Sequence, residues 1–390
     1  MLRTPDSCFD NLPLWDHEPK YFTSTLYGLA VRIAYYDLGE SGAEKTILLT
    51  HGMSTWSYLY RRMIPSLIAA GHRVILFDQV GCGRSDKPNR EEHYNYKRQI
   101  GWNIDLLINH LDLEGVTAVL QDWGGLLGLR VVAAYPGAFR RLVIANTMLP
   151  TCDDGFFKVS PAFYSWKTFA FRTGLKDDIW MAERGGRWPG QILAPKAVGP
   201  SNPKMDPAER AAYDAPYPDD TYKAGARMLP ELVPTPSTDP TGRAMMAEAE
   251  NNAAAWSVFQ QFTKPVLLAF SDEDTVMAGG DAIWLEHCPG TKHPGVAHVT
   301  INGTGHFLQD GGAEQLVRAI AALIDATPPA SIDPLRAGPP SGEAAINAKA
   351  AAEAAASARA VAHGDIGIST PSDEGASFIS PTLEGRTPYQ

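Results

Sequence analysis

Short apolar runs recur along the chain and alternate with stretches of helical pattern. They are rich in β-branched residues and carry apolar side chains continuously rather than at every second position: KTILLT (45–50), HRVILFD (72–78), GVTAVLQ (115–121), FRRLVIANT (139–147), KPVLLAF (264–270) and HVTINGT (298–304). Continuous hydrophobicity over so few residues is typical of strands buried on both faces. The pattern therefore predicts an α/β fold with a mostly parallel central sheet flanked by helices.

The alternation of runs stops for about a hundred residues after the run at 139–147. Trp, Tyr, Pro and polar helical stretches occupy this interval until the run at 264–270. We therefore expect a helical cap at 151–255, inserted between a first part of the core at 1–150 and a second part at 256–328.

Residues 329–390 differ in composition from the rest of the chain. They begin with the proline-rich TPPASIDPLRAGPPSGE and continue with an alanine-rich segment that has few large apolar side chains. Such sequences form linkers or remain unfolded because they cannot bury enough apolar surface. The sequence predicts a Pro/Ala-rich, disordered tail.

Composition restricts the classes of partner. The chain has 390 residues, 44% of them hydrophobic, and a net charge of -10. It has no basic run, which argues against nucleic acid or an anionic membrane surface as partner. No segment approaches the length of about 18 apolar residues that a membrane span needs, and the N-terminus lacks the apolar region of a signal peptide. We expect a monomer that acts on a small molecule.

Cysteine usage points to a compartment. Cys8, Cys82, Cys152 and Cys288 are scattered and form no C-x-x-C pair. This arrangement suits a reducing environment and offers no zinc-site spacing. The expectation is a cytoplasmic protein.

The sequence QDWGG at 121–125 lies where a buried apolar run gives way to glycines and a new helical pattern. This context matches the strand–turn–helix elbow of G-x-S-x-G hydrolases, with Asp122 in the place of the serine. The turn exposes that side chain above the sheet, and the glycines permit close approach of the backbone. An acid that only caps the following helix is the alternative.

Acidic residues and a histidine follow the last two predicted strands. AFSDEDTV places Asp272 and Asp274 after one strand, and INGTGHFLQD places His306 after the other. Nucleophile, acid and histidine in this chain order match the triads of α/β-hydrolases. We predict Asp122 as nucleophile, His306 as base and Asp274 as its orienting acid. Asp274 lies further into the loop than Asp272, which stays the alternative.

A further loop is predicted at the same edge of the sheet, in THGMSTWSYLYRRMIP at 50–65. A strand that ends in His-Gly before a helix fits the loop that donates one backbone N–H to an oxyanion hole. The predicted donors are the backbone N–H groups of Met53 and Trp123, and His51 is expected to be structural.

No cofactor or metal is predicted. FDQVGCGRSDKP contains G-x-G but lacks the further glycine and the helical context of a dinucleotide site, so we expect a structural loop. A histidine base can activate water without a metal.

With these residues assembled, the chain resembles the haloalkane dehalogenases, and within them the subfamily in which two tryptophans bind the halide. The matching stretches span about residues 1–325 and are RTPDSCFDNLP, HGMSTWSYLYRRMIP, FDQVGCGRSDKP, LQDWGGLLGLR, FYSWKTF, AAYDAPYPDDTYKAGAR, FSDEDTV and GTGHFLQD. QDWGG and the H-G-x-x-T-W-S-Y-L-Y-R run are the most specific, because the wider superfamily lacks these tryptophans.

The resemblance implies a hydrolase that converts a haloalkane and water into a primary alcohol and halide. It assigns Trp123 and Trp166 as the halide clamp, beside Asp122, His306 and Asp274 as the triad. A carboxylate is ionised at pH 7 and can displace a halogen from an sp³ carbon, which leaves an ester on Asp122. Water activated by His306 then hydrolyses the ester. Indole N–H groups suit the departing halide because they only donate hydrogen bonds and have large apolar bodies.

One position departs from the family pattern. Met53 and Ser54 lie where family members usually have Asn or Glu followed by Pro. The side-chain halide donor of the relatives with Asn is therefore missing, and Trp166 is expected to substitute for it. Other aromatic residues are expected to form pocket walls or cap core: Phe163, Phe169, Tyr217 and Tyr222.

Alternative functions exist on the same fold. An epoxide hydrolase also uses an Asp nucleophile but opens the ring with two cap tyrosines, whereas Trp123 and Trp166 favour a halide. A haloacid dehalogenase would need a cationic residue near the nucleophile, where this chain has Trp123. A non-hydrolytic ligand receptor or light-emitting oxygenase derived from this fold could keep the same triad, so the triad does not separate it from a hydrolase.

Overall fold

The computed structural model describes residues 1–40, 45–52, 55–153, 160–173, 206–239 and 246–329. Met53, Ser54 and the predicted tail after residue 329 lie outside the described residues, as does the side chain of Phe169.

Eight strands of the described residues form one sheet, in the order β1-β2-β4-β3-β5-β6-β7-β8. In this order the six strands from β4 to β8 run parallel to one another, whereas β2 pairs antiparallel with both β1 and β4. The bounds are β1 Lys20–Ser24, β2 Val31–Leu38, β3 Thr46–Thr50, β4 Arg73–Phe77, β5 Val116–Gln121, β6 Phe139–Ala145, β7 Val266–Ser271 and β8 Val299–Ile301. The predicted mostly parallel α/β architecture is confirmed.

The inner strands are buried on both faces, as their continuous hydrophobicity predicts. Along β3, Leu48 belongs to one apolar cluster, whereas Ile47 and Leu49 belong to the cluster on the other side of the sheet. In β5, Leu120 and Val119 divide in the same way. Since successive side chains of a strand point to opposite faces, helices must cover both sides of this sheet.

The helices lie between the strands, in the long interval between β6 and β7, and after β8. Their bounds are α1 Ile64–Ala69, α2 Tyr96–Ile104, α3 Asp122–Ala134, α4 Pro161–Thr173, α5 Pro207–Asp214, α6 Ala224–Leu232, α7 Ala249–Phe259, α8 Gly280–His287, α9 Leu308–Gly311 and α10 Ala313–Ala326. Within the described ranges, no helix has both the length and the apolar character that a membrane crossing requires.

Helix α7 continues through the predicted boundary between cap and core at residue 255. It packs against α3, and the indole N–H of Trp256 donates to the carbonyl of Leu149 at 2.8 Å. The change in sequence pattern at this point therefore does not coincide with a break in the chain's secondary structure.

A buried ionic network joins α5 to the core. Arg61 is fully buried, and one of its guanidinium nitrogens lies 2.7 Å from Glu209 on α5 and 2.7 Å from Asp310 on α9. Tyr213 donates to Asp310 at 2.7 Å, and Arg62 binds the outer side of Glu209 at 2.7 Å. Water does not solvate these buried charges, so the guanidinium of Arg61 and the carboxylate of Asp310 neutralise each other.

Replacement of Arg61 by Met is expected to lower the free energy of unfolding by about 3–5 kcal/mol, because it leaves a buried carboxylate without its cation. Urea unfolding followed by circular dichroism measures this loss. Arg62→Met is the matched control, since Arg62 shares Glu209 but its side chain is 35% exposed, and an exposed pair contributes at most about 1 kcal/mol. If both variants lose the same free energy of unfolding, burial of Arg61 does not explain its contribution to stability.

Candidate active site

Asp122 lies at the junction of β5 and α3 in a strained turn. Its φ of 48° is in the left-handed region, which non-glycine residues seldom adopt. The backbone N–H donates to the carbonyl of Asn146 at 3.1 Å, and the hydroxyl of Thr147 donates to the carbonyl of Asp122 at 2.7 Å. The neighbouring strand end thus holds the elbow in place.

The glycines of the elbow are required by close packing. A Cβ atom on Gly124 would lie 2.5 Å from the carbonyl oxygen of Thr50, and one on Gly125 would collide with the side chain of Thr147. A Cβ on Gly52 would lie 2.6 Å from the Cβ of Asp122. The loop after β3 therefore passes directly beside the elbow.

The structure brings Asp122, His306 and Asp274 together from three strand ends. Nε2 of His306 lies 3.3 Å from Oδ2 of Asp122, and Nδ1 lies 2.7 Å from Oδ2 of Asp274. Asp274 is itself oriented by the backbone N–H groups of Val276 and Met277, which donate to its Oδ1 at 2.9 and 3.2 Å. The three side chains are in contact in the order that a nucleophile, a base and an orienting acid would require.

Asp272, the alternative acid, has a different place. Its Oδ1 accepts hydrogen bonds from the backbone N–H groups of Gly303 at 2.8 Å and Thr304 at 3.3 Å. It therefore holds the loop that carries His306, while Asp274 contacts the imidazole.

The two carboxylates determine the protonation of His306. Burial disfavours the imidazolium, but the charge of Asp274 and the hydrogen bonds to Asp122 and Asp274 outweigh burial and raise the pKa of His306 to about 10. The two carboxylates therefore favour the imidazolium form of His306 in the resting site.

Of the two predicted oxyanion donors, only Trp123 lies within the described residues. It is the second residue of α3, where a backbone N–H has no intrahelical acceptor and is available to a ligand. Met53 follows Gly52, the last described residue before the gap.

Trp123 and Trp166 belong to the same buried apolar cluster, and their side chains are 2% and 8% exposed. Among the described residues, the indole N–H groups of Trp123 and Trp166 show no hydrogen bond to a protein acceptor, whereas that of Trp256 donates to Leu149 at 2.8 Å. Indole N–H groups in an apolar surrounding are strong donors to an anion.

Known proteins resemble this chain in sequence and in fold. Residues 45–172 match the family model of the alpha/beta hydrolase fold. The chain is 41% identical to a haloalkane dehalogenase of Psychrobacter cryohalolentis, over 84% of this chain and 99% of that protein. A haloalkane dehalogenase of Mycolicibacterium paratuberculosis is 39% identical, over 82% of this chain and 97% of that protein.

The chain belongs to the haloalkane dehalogenase family. The solved tetrameric structure of the haloalkane dehalogenase DpaA from Paraglaciecola agarilytica superimposes with a TM-score of 0.66 at 31% identity, covering 82% of this chain and 97% of that chain.

Two residues of this dehalogenase contact the triad but were not singled out from the sequence. The amide nitrogen of Gln121 lies 3.3 Å from the carbonyl oxygen of His306 and 3.4 Å from its Nε2. Asn146, at the end of β6, donates to the same carbonyl at 3.1 Å. Asn146 has a φ of 40°, which only a structure reveals. An Asn directly after a buried strand could have indicated such a turn from the sequence, because Asn adopts the left-handed region more readily than most residues.

The sequence analysis also made predictions for residues that do not belong to the triad. His51 is a structural residue as expected, since its Nε2 accepts the backbone N–H of Gln79 at 2.9 Å and burial lowers its pKa. Tyr217 is fully buried against Cys82, so it packs between elements of the protein. Phe163 packs against Trp166 with ring centroids 5.7 Å apart.

Proposed function

We propose that Asp122, His306 and Asp274 carry out the hydrolysis of a carbon–halogen bond in two steps, through an alkyl ester on Asp122. The observation that carries this proposal is the chain of contacts from Asp122 through both nitrogens of His306 to Asp274. The family membership supports the reaction class, a hydrolase acting on carbon–halide bonds.

In the first step, Asp122 attacks the halogen-bearing carbon. Its side chain is only 12% exposed, so few water molecules can solvate the carboxylate. A poorly solvated carboxylate is a stronger nucleophile than a fully hydrated one. The carbon–oxygen bond forms as the carbon–halogen bond breaks, and the halide leaves with the bonding electrons. The indole N–H groups of Trp123 and Trp166 are proposed to receive the charge that develops on the halide.

In the second step, His306 acts as the base for water. Ester formation removes the negative charge of Asp122, and with it one of the causes that raise the pKa of His306 to about 10. The pKa then falls, the imidazolium loses its Nε2 proton to solvent, and the neutral Nε2 can take a proton from the attacking water. Asp274 keeps Nδ1 protonated and stabilises the imidazolium as it forms again.

Water attacks the carbonyl carbon of the ester, which places charge on the carbonyl oxygen. When this intermediate collapses, the bond from this carbon to the alkyl oxygen breaks, and the alcohol leaves with the proton held by His306. We propose that the backbone N–H groups of Trp123 and Met53 form the oxyanion hole for this charge. The close approach of Gly52 to the Cβ of Asp122 supports this role for the loop after β3.

A halide-release screen tests the function. Chlorinated and brominated alkanes of increasing length are offered to the protein, with an epoxide as the comparison substrate. We expect stoichiometric release of halide and alcohol from the alkanes. Turnover of the epoxide alone would overturn the assignment in favour of an epoxide hydrolase.

Trp166→Phe is expected to lower the rate of halide release by roughly tenfold or more, because it keeps the aromatic bulk and removes one hydrogen bond to an anion. Stopped-flow measurement of bromide release gives the rate of the first step. Phe163→Leu is the control, since it removes a ring that packs on Trp166 without removing an N–H. A Trp166 variant as fast as wild type would assign this residue to packing alone.

We also propose that the protein is cytoplasmic and monomeric. None of its four cysteines, all within the described residues, forms a disulfide, which suits a reducing compartment. Its large exposed apolar side chains in the described ranges are scattered singly, as in monomers: Met1, Leu14, Tyr21, Met246 and Leu285. The DpaA structure is that of a tetramer. The proposed monomer would therefore differ from DpaA in its oligomeric state.

A further inference from the structure

Lys167 follows Trp166 on α4, and its charge is buried. The side chains of Lys167 and Asp239 are both 0% exposed, and Nζ lies 2.7 Å from Oδ2 of Asp239. The same Nζ donates to the hydroxyl of Thr235 at 2.8 Å. Thr235 and Asp239 lie just beyond the end of α6, so this ion pair fastens α4 to the segment that follows α6.

Trp166 itself packs among apolar side chains. Trp166 shares its cluster with Phe163 on α4 and with Leu229 and Leu232 on α6. Apolar contacts are non-directional and tolerate small rotations of a helix. A buried charge-assisted hydrogen bond has a narrow optimum in distance and angle, so it specifies one arrangement.

The positions of Lys167 and Trp166 are coupled by the geometry of the helix. Consecutive residues of an α-helix differ by about 100° around its axis, so a rotation that displaces one side chain displaces the other equally. A rotation of about 10–20° is enough to spoil a functional constellation, and a misplacement of about 1 Å can cost about a hundredfold in rate.

We propose that the Lys167–Asp239 ion pair is a positioning device that fixes the rotation of α4 and thereby aims the indole N–H of Trp166 at the leaving halide. Both side chains are fully buried, so the proposed effect on the reaction is exerted through Trp166. The inference rests on the proposed role of Trp166 in binding halide.

The test uses the full-length protein with Lys167→Met. We expect bromide binding, measured by quenching of tryptophan fluorescence, to weaken at least tenfold. The pre-steady-state burst of halide should slow at least tenfold, whereas hydrolysis of the accumulated ester should keep its rate, because Trp166 acts only while halide leaves. Asp37→Asn, which breaks the Arg73–Asp37 pair between β2 and β4, is the control and should change neither step.

A double-mutant cycle decides whether Lys167 acts through Trp166. In the Trp166→Phe background, Lys167→Met should cause less than a twofold further loss of the halide burst. If Lys167→Met alone fails to fold, Lys167→Met combined with Asp239→Leu removes both charges and replaces it in the cycle.

The remaining outcomes would overturn either the positioning role of Lys167 or the halide role of Trp166. Losses that multiply in the cycle, equal slowing of both steps, or an unaltered burst in the Lys167 variant would overturn the positioning role. A loss in Asp37→Asn as large as in Lys167→Met would do the same. If Trp166→Phe has the wild-type burst, the proposed halide role of Trp166 fails instead.

Discussion

His306→Phe releases one equivalent of halide and then stops, if Asp122 attacks carbon directly and the histidine acts only on the ester. Phe fills the volume of the imidazole but cannot accept a proton, so the first step proceeds and the second does not. Intact-protein mass spectrometry should show a gain of one alkyl group, and peptide mapping should place this group on Asp122.

The control for this variant is His287→Phe on α8, a histidine whose side chain is 26% exposed. It should turn over as wild type does, and the melting temperatures of both variants establish that they are folded. Repeated turnover by His306→Phe would make the histidine dispensable. A folded variant that releases no halide would imply that water, and not Asp122, attacks the carbon.

Asp122→Ala should reduce halide release to background, a loss of at least about 10⁴-fold, which is the scale found when a nucleophile is removed from a triad that acts as a unit. Bromide should still quench the tryptophan fluorescence, because the proposed halide clamp of Trp123 and Trp166 does not include the side chain of Asp122. Loss of bromide binding together with activity would indicate that the pocket itself has been disturbed.

The same variant reports on the electrostatics of the site. Burial lowers the pKa of His306, but Asp274 and Asp122 together raise it to about 10. Removal of the hydrogen bond and the charge of Asp122 should therefore shift the imidazole titration to lower pH. NMR titration of His306 in wild type and in Asp122→Ala measures the shift. An unchanged titration would contradict the proposal that esterification of Asp122 prepares His306 to act as a base.

The elbow and the order of the triad were accessible from the sequence because their signals are local. A buried β-branched run, an acid and two glycines occupy consecutive positions at 115–125, and α3 begins at the acid. The inner strands were accessible for a related reason, since burial on both faces leaves a continuous apolar run. Strands β1 and β2 were not predicted. β1 lies at the edge of the sheet with three of its five residues exposed, and the polar residues of β2 interrupt its apolar pattern.

Two features could be identified only from the tertiary structure, because they depend on contacts between distant parts of the chain. Asp272 and Asp274 follow the same strand, and the chain pattern cannot tell which of them meets an imidazole that arrives from β8; the 2.7 Å contact with Asp274 does. Lys167 and Asp239 are 72 positions apart, and a lysine next to a tryptophan carries no local sign that its charge is buried. Short-range patterns determine which segments form strands and turns, whereas the pairing of buried charges is set by packing that brings remote segments together.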